Sequence, residues 1–401
     1  VAARRRTICP ARRALRRLGL ALLACASGLL VGAAVAAAQP DGDGERALSS
    51  YLAMQGQFYE PTRRLYQGEG SEGEFTYLWP FSQAFAATSA IAGIPSLGAA
   101  YLPALRERAA GLAWYWNPKS KPPGYMSVSR AVGVGWKYYD DNEWSGLQLV
   151  RAYRMLGNRS LLAQAQRVFA LVVFGWDGDR RHPCPGGVFW TQKPNTTPRA
   201  TVSNAPGAEL GLELYQLTHR SSYLQWAKRM YHWVRLCLRE MNGLYADNID
   251  LYGTVDKSIF IYNQGTMIGT EVLLYQVTGK REYLQRARES AATTMAYFTR
   301  SQLEGQAPFF VSIFGENLLR LNALSPNPAY RAYLQEYADH AWAADRDPQT
   351  GLFDFHEHEA TLLLQQAAMT QLLAYLSWDS RWFATPGKGA SSRPHASRAR
   401  G

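Results

Sequence analysis

The sequence predicts an all-α fold, an (α/α)6 barrel of six helical hairpins. Three observations carry that prediction. From about residue 50 to 385, helical patterns alternate with long loops rich in Gly, Pro and aromatic residues, and almost no stretch shows the period-two alternation of a strand. The pairs Tyr101-Leu102, Leu161-Leu162, Tyr223-Leu224, Tyr283-Leu284 and Tyr333-Leu334 recur at spacings of 60, 62, 60 and 50 residues. Three copies agree in more detail: Tyr153-Arg-Met-Leu-Gly157, Tyr215-Gln-Leu-Thr-His219 and Tyr275-Gln-Val-Thr-Gly279 each close one helix.

After each of these three closures comes a short turn, then a second helix holding Ala165, Ala227 or Ala287. Gly157 and Gly279 suit the left-handed residue just past a helix end. Each unit is therefore a helical hairpin followed by a long loop. The last unit holds Ala360 to Leu376 and closes against the first. Open solenoids repeat every 20–50 residues or so; units near 60 with long loops fit a closed barrel better than an open helical array. In such a barrel the first helix of each pair is inner, and the inner helix N-termini meet at one mouth.

The two ends of the chain differ from this middle. Residues 1–38 hold seven Arg and no acid, and the tail 386–401 adds Lys388, Arg393, Arg398 and Arg400. The net charge of +11 belongs to these ends, and the middle is neutral, which argues against a nucleic-acid surface. The basic stretch Arg4 to Arg17, the apolar run Leu18 to Ala38 and Ala36-Ala37-Ala38 before Gln39 have the form of a signal peptide. An uncleaved helix or a lipid on Cys25 is the alternative, and would be the chain's sole membrane attachment. Secretion or association with the cell envelope follows from either. The expected division is 1–38 signal, 39–385 barrel domain and 386–401 disordered basic tail. Cys184 and Cys237 remain in the mature chain, as a disulfide or as two buried thiols.

Chemistry concentrates in Trp136-Lys137-Tyr138-Tyr139-Asp140-Asp141-Asn142-Glu143-Trp144. Glycosidases need two carboxyl groups, held about 5–5.5 Å apart in retaining enzymes. Adjacent residues, with Cα atoms about 3.8 Å apart, reach that separation when their side chains splay. The competing reading is a capping box, Asp140 with Glu143 three residues on. The surrounding rings would desolvate one carboxyl and keep it protonated, while the helix N-terminus keeps the other ionised. The repeat supports a central position. Twelve residues before Tyr153, Tyr215 and Tyr275 stand Asp141, Ser203 and Asn263, followed by Asn142, Asn204 and Gln264. Polar residues thus recur at successive inner-helix mouths. Trp136, Tyr139, Trp190, Asn204, Asp250, Asn263 and Gln264 are the expected sugar contacts. Asp177-Gly-Asp179 and His356-Glu-His358-Glu359 read as a turn and a solvated helix start, because neither has a metal-site spacing. No metal or cofactor is expected. His182, His219 and His232 lie away from the mouths, which disfavours an epimerase.

The stretch resembles glycoside hydrolase family 76, the endo-α-1,6-mannanases, whose signature is an aromatic-rich Tyr-x-Asp-Asp segment followed by Trp. The resemblance extends over most of residues 75–300, through Tyr77-Leu78-Trp79-Pro80, Gly186-Gly187-Val188-Phe189-Trp190, Ser203-Asn204 and Tyr262-Asn263-Gln264-Gly265. It is weaker beyond, where Phe310-Val-Ser-Ile313-Phe314-Gly315-Glu316 lacks the basic residues the family leads one to expect. The resemblance implies the (α/α)6 barrel and a retaining mechanism, with Asp140 as nucleophile and Asp141 as acid/base. It adds Trp79 and Tyr262 to the substrate contacts. The implied substrate is an α-1,6-linked mannan; a monomer is expected, with the sequence leaving the oligomeric state open. A wall transglycosidase and a catalytically silent mannan-binding protein are the alternatives.

Overall fold

The structure is a computed structural model, and it describes residues 42–68, 75–133, 135–193, 198–355 and 362–384. The expected signal, the basic tail and His356 to Glu359 lie outside these residues.

Helices in chain order are α1 (Asp43–Phe58), α2 (Leu78–Ala92), α3 (Gly98–Gly111), α4 (Tyr139–Leu156), α5 (Arg159–Phe174), α6 (Ala205–Thr218) and α7 (Ser221–Cys237). There follow α8 (Ile261–Thr278), α9 (Arg281–Tyr297), the short α10 (Arg300–Glu304), α11 (Pro308–Leu324), α12 (Pro328–Ala344), α13 (Leu363–Ser377) and the short α14 (Ser380–Ala384). Helices α2, α4, α6, α8, α11 and α13 pack side by side into a closed ring, and α13 returns to α2. These six are buried almost all round, as helices covered on every side must be. The outer helices α3, α5, α7, α9 and α12 bury one face each. The repeated Tyr-Leu pairs sit on that face, with Tyr223, Tyr283, Leu284 and Leu334 buried. No helix among the described residues is long and apolar enough to cross a membrane.

The sixth hairpin differs from the expected one. The outer partner of α13 is α1, from the opposite end of the described chain. The seam is close-packed: Trp378 Nε1 donates to the carbonyl of Ala90 at 2.8 Å. A Cβ at Gly93 would lie 2.4 Å from the same indole. On the other hairpins, Gly157, Gly279 and His219 all adopt positive φ, and each donates its N–H to the Tyr carbonyl four residues back. His219 therefore takes the conformation that its sister units give to glycine.

The barrel axis below the mouth is polar. Arg320 bridges Glu213 and Glu316 at 3.3 and 3.2 Å, Arg154 meets Glu213 at 3.4 Å, and Arg151 bonds both Glu316 and Tyr375. Charges buried this deeply persist only when paired.

At the mouth a single device recurs on four inner helices. Asn142 accepts the N–H of Tyr125 and donates to the carbonyls of Tyr125 and Tyr138. Asn204 does the same with Val188 and Ala200. So do Gln264 with Tyr245 and Phe260, and Gln366 with Phe353 and Leu362. Each amide grips both polar groups of one loop residue and the carbonyl four residues behind itself. The gripped residues Tyr125, Val188, Tyr245 and Phe353 are buried plugs. Among the predicted sugar contacts, Asn204 and Gln264 are thus placed as loop tethers, because every donor and acceptor of their amides meets backbone.

Replacing Asn204 with Leu strands the buried N–H of Val188 and two carbonyls, and is expected to lower unfolding stability by about 2–4 kcal/mol. Urea titration measures it. A stable variant with a raised KM would instead return Asn204 to the substrate.

Candidate active site

The mouth holds a cavity of about 770 Å3. Its wall is assembled from loops that the amide tethers hold in place. Tyr138, the residue before α4, pairs with Thr191, and the N–H of Tyr139 bonds the carbonyl of Trp190 at 2.9 Å. That short antiparallel contact brings the segment 175–193 beside the first turn of α4. Asp140 and Asp141 occupy this turn and line the cavity.

Their surroundings differ. Trp190 Nε1 donates to Asp140 Oδ2 at 3.0 Å, and the N–H of Asp141 donates to Asp140 Oδ1 at 2.9 Å. That N–H is one of those a helix start leaves free. Burial pushes the Asp140 carboxyl up to about 7, and these two donors act against the rise. Asp141 is held well above the ordinary carboxylate range by burial, with the charge of Asp140 adding to it. Two like carboxyls in one dry site cannot both ionise freely, so the last proton settles on the one without donors. The capping box is not formed. Tyr138 is the N-cap and offers no side-chain bond, and Glu143 turns inward, where burial holds its carboxyl well above the usual range.

A third carboxylate faces the pair. Asp247 lies at the edge of a small sheet in which Ala200 pairs with Asn248, and Asn248 with Asp256. It accepts from Asn248 Nδ2 at 2.8 Å and Asn263 Nδ2 at 3.1 Å. Burial raises it, and its charge in turn raises Asp140.

The structure brings Asp140, Asp141, Trp79, Trp190 and Tyr262 together around the cavity. It places others elsewhere. Asn263 stands behind Asp247 and holds it. Asp250 closes its own turn by accepting the N–H groups of Tyr252 and Thr254, both at 2.8 Å. Trp136 is 46% exposed and off the cavity wall. Tyr139 is buried beneath the outer helix, where a Cβ at Gly175 would lie 2.4 Å from its ring. The wall also includes residues outside the expected sugar contacts, among them Tyr77, Tyr138, Trp144, Asp247, Asn248, Phe260, Phe310 and Leu364. Asp247 and Asp250 lie three residues apart in one loop, and the strand pairing puts Asp247 on the cavity wall.

The loop that carries Trp190 is fixed at its base. Cys184 and Cys237 form a disulfide between this loop and the end of α7. Arg199, fully buried, donates to Asp177 and to the carbonyls of Pro183, Cys184 and Asp250. Asp177 also accepts from His182 Nδ1 and from the N–H of Asp179, so this segment is a braced turn. Among the described residues no cluster of three or more His, Cys, Asp or Glu side chains is arranged to hold a metal ion.

Comparison with known proteins gives consistent results. The Glycosyl hydrolase family 76 profile matches residues 46–377. A mannan endo-1,6-alpha-mannosidase of Candida glabrata is 28% identical over 147 residues, 34% of this chain and 32% of that protein. The match thus spans about a third of that curated relative's length. A family 76 mannosidase from Bacteroides thetaiotaomicron superposes with a TM-score of 0.74 at 22% identity, covering 84% of this chain and 98% of that one. An inactive double aspartate-to-asparagine variant of the α-1,6-mannanase of Salegentibacter sp. HEL1_6, in complex with α-1,6-mannotriose, gives 0.69 at 22% identity, covering 84% and 99%. The (α/α)6 barrel read from the repeat is the fold of these neighbours. The chain belongs to glycosyl hydrolase family 76.

Proposed function

We propose that the chain is an exported, retaining endo-α-1,6-mannanase acting on α-1,6-linked mannan backbones. One observation carries the division of labour: Asp140 receives two N–H donors and Asp141 receives neither. Asp140 is then the group that stays ionised, and one of its oxygens attacks the anomeric carbon. The bond from that carbon to the leaving oxygen breaks, and the proton of Asp141 goes to that oxygen. In the second half, Asp141 takes a proton from water, the water oxygen bonds the anomeric carbon, and Asp140 is released. Asp247, held open by Asn248 and Asn263, accepts from the hydroxyls of the sugar lying over the pair. Trp190 orients Asp140 and offers its face to the same ring. Support for the substrate comes from the mannanases among the structural neighbours and from the inactive variant with two aspartates replaced. Support for export is the basic and apolar N-terminal stretch.

Asp140→Asn is expected to lower kcat on linear α-1,6-mannan by at least about a thousandfold, with the circular dichroism spectrum unchanged. NMR of early product should show the α-anomer first. Near wild-type activity, or a β-anomer, would end the retaining scheme.

The pH profile gives a separate check. Activity needs Asp140 ionised, so kcat/KM should fall as the pH drops below about 7. A donor to the charged form lowers a pKa, so removing it raises the pKa. Trp190→Phe should therefore move the acid limb upward by about one pH unit. An unmoved limb with only KM altered would leave Trp190 as a stacking surface and nothing more.

A further inference from the structure

Two stretches of the barrel contain no acid. Residues 108–139 hold five Lys or Arg, residues 144–176 hold four Arg, and neither has an Asp or Glu. They supply the loop entering α4, most of α4 and all of α5. Four of these cations are engaged. Arg108, Arg151 and Arg154 pair with Glu107, Glu316 and Glu213, and Lys137 Nζ donates to the carbonyl of Pro122 at 2.6 Å. Lys119, Lys121, Arg130, Arg159 and Arg167 are exposed, and none pairs with a carboxylate among the described residues.

Arg130 and Arg167 line a groove of about 420 Å3 between α3 and α5, on the outside of the ring. One wall is a short hairpin in which Trp116 pairs with Tyr125, with ring centroids 4.9 Å apart and planes at 70°. Asn142 grips that same Tyr125, so the wall is anchored to α4. The floor is aliphatic, with Leu149 and Leu161. Arg130 lies over the Trp114 ring at 5.1 Å, and Arg167 donates to Gln164 at 2.9 Å, which steadies both guanidinium groups. An apolar groove with a few placed polar heads is the usual form of a small-ligand site. The loop that builds its wall also turns Ser127 and Tyr138 to the catalytic cavity, so groove and cleft lie on two sides of one loop.

Guanidinium forks match the oxygens of phosphate. A phosphate monoester carries a charge of about −1.5 to −2 near neutral pH, which two guanidinium groups balance. The cleft is a poor place for such a group, because Asp140, Asp141 and Asp247 line it. The groove is also far larger than a phosphate alone, and Trp116 offers a ring to the C–H face of a sugar. We propose that the groove between α3 and α5 is a second glycan site, taking a phosphate-bearing sugar unit of the mannan whose neutral backbone enters the cleft. The identity of that glycan rests on the mannanase reading.

The test is calorimetric titration of the full chain with mannose 6-phosphate, mannose, inorganic phosphate and a short oligothymidylate. Mannose 6-phosphate should bind about tenfold tighter than each of the other three. Arg130→Gln combined with Arg167→Gln alters exposed side chains only, and should cut that preference below about threefold. On α-1,6-mannan carrying phosphate monoesters, the same double substitution should raise KM with kcat unchanged, and leave KM on unsubstituted mannan as it was. No preference over mannose overturns the site, as does a preference that survives the double substitution. Inorganic phosphate or oligothymidylate binding as tightly as mannose 6-phosphate overturns the glycan assignment. Cleavage of unsubstituted α-1,6-mannan by the unaltered chain is scored separately. Cleavage without the phosphate preference removes the groove site alone. No cleavage removes the mannanase reading, and the titration still decides the groove.

Discussion

The mouth of this barrel is held by one hydrogen-bonding pattern used four times. An amide in the first turn of an inner helix, or at its cap, grips the N–H and the carbonyl of a residue 13 to 19 positions earlier. Loops of this length have a high ordering entropy and few internal bonds. One three-bond clamp per loop, each around a buried hydrophobic plug, sets the loop's height above the helix ends. The tethered loops then meet one another. The Trp190 loop pairs with the segment entering α4, and the Asp247 strand pairs with the segment entering α6. Asp140 and Asp141 sit on the barrel's own α4, and these loop contacts bring Trp190 and Asp247 to them.

Within that frame the chemistry follows from asymmetry between neighbours. Asp140 and Asp141 share a helix turn, a low-dielectric surrounding and a like charge, yet only one is addressed by donors. The indole of Trp190 reaches Asp140 from the loop that follows the same hairpin, and the backbone N–H of Asp141 reaches it from the next residue. The resemblance to family 76 assigned nucleophile and acid/base by analogy. The donor count favours the same assignment on physical grounds.

The architecture was legible because it is written locally. Marker pairs on the buried faces of outer helices and a left-handed residue at each inner helix end need only a few neighbours to be recognised. Asp140 and Asp141 were legible for a related reason: two adjacent acids among four rings have few bland explanations. Asn204 and Gln264 were misplaced because their position in the repeat is the same whether they face sugar or loop. The decision lies with Val188 and Tyr245, distant in sequence. Asp247 and Asp250 are three residues apart, and a non-local strand pairing selects the inward one. Phe310 and Leu364 carried no polar marker, so an inner-helix pattern absorbed them. Two cysteines 53 residues apart gave no local sign that they pair.

The pairing of α1 with α13 bears on how the molecule forms. Five hairpins are sequence-local and can assemble as the chain lengthens. The sixth joins segments some three hundred residues apart, so ring closure is the contact of highest order and carries the largest loop-closure entropy. Until α13 docks, the inner ring is an open arc with the sides of α11 and α2 bare. Part of the cleft wall spans this same gap, with Phe310 on one flank, Trp79 on the other and Leu364 on the closing helix. The cleft therefore acquires this side last, and a chain stalled before closure would expose the surface most prone to association.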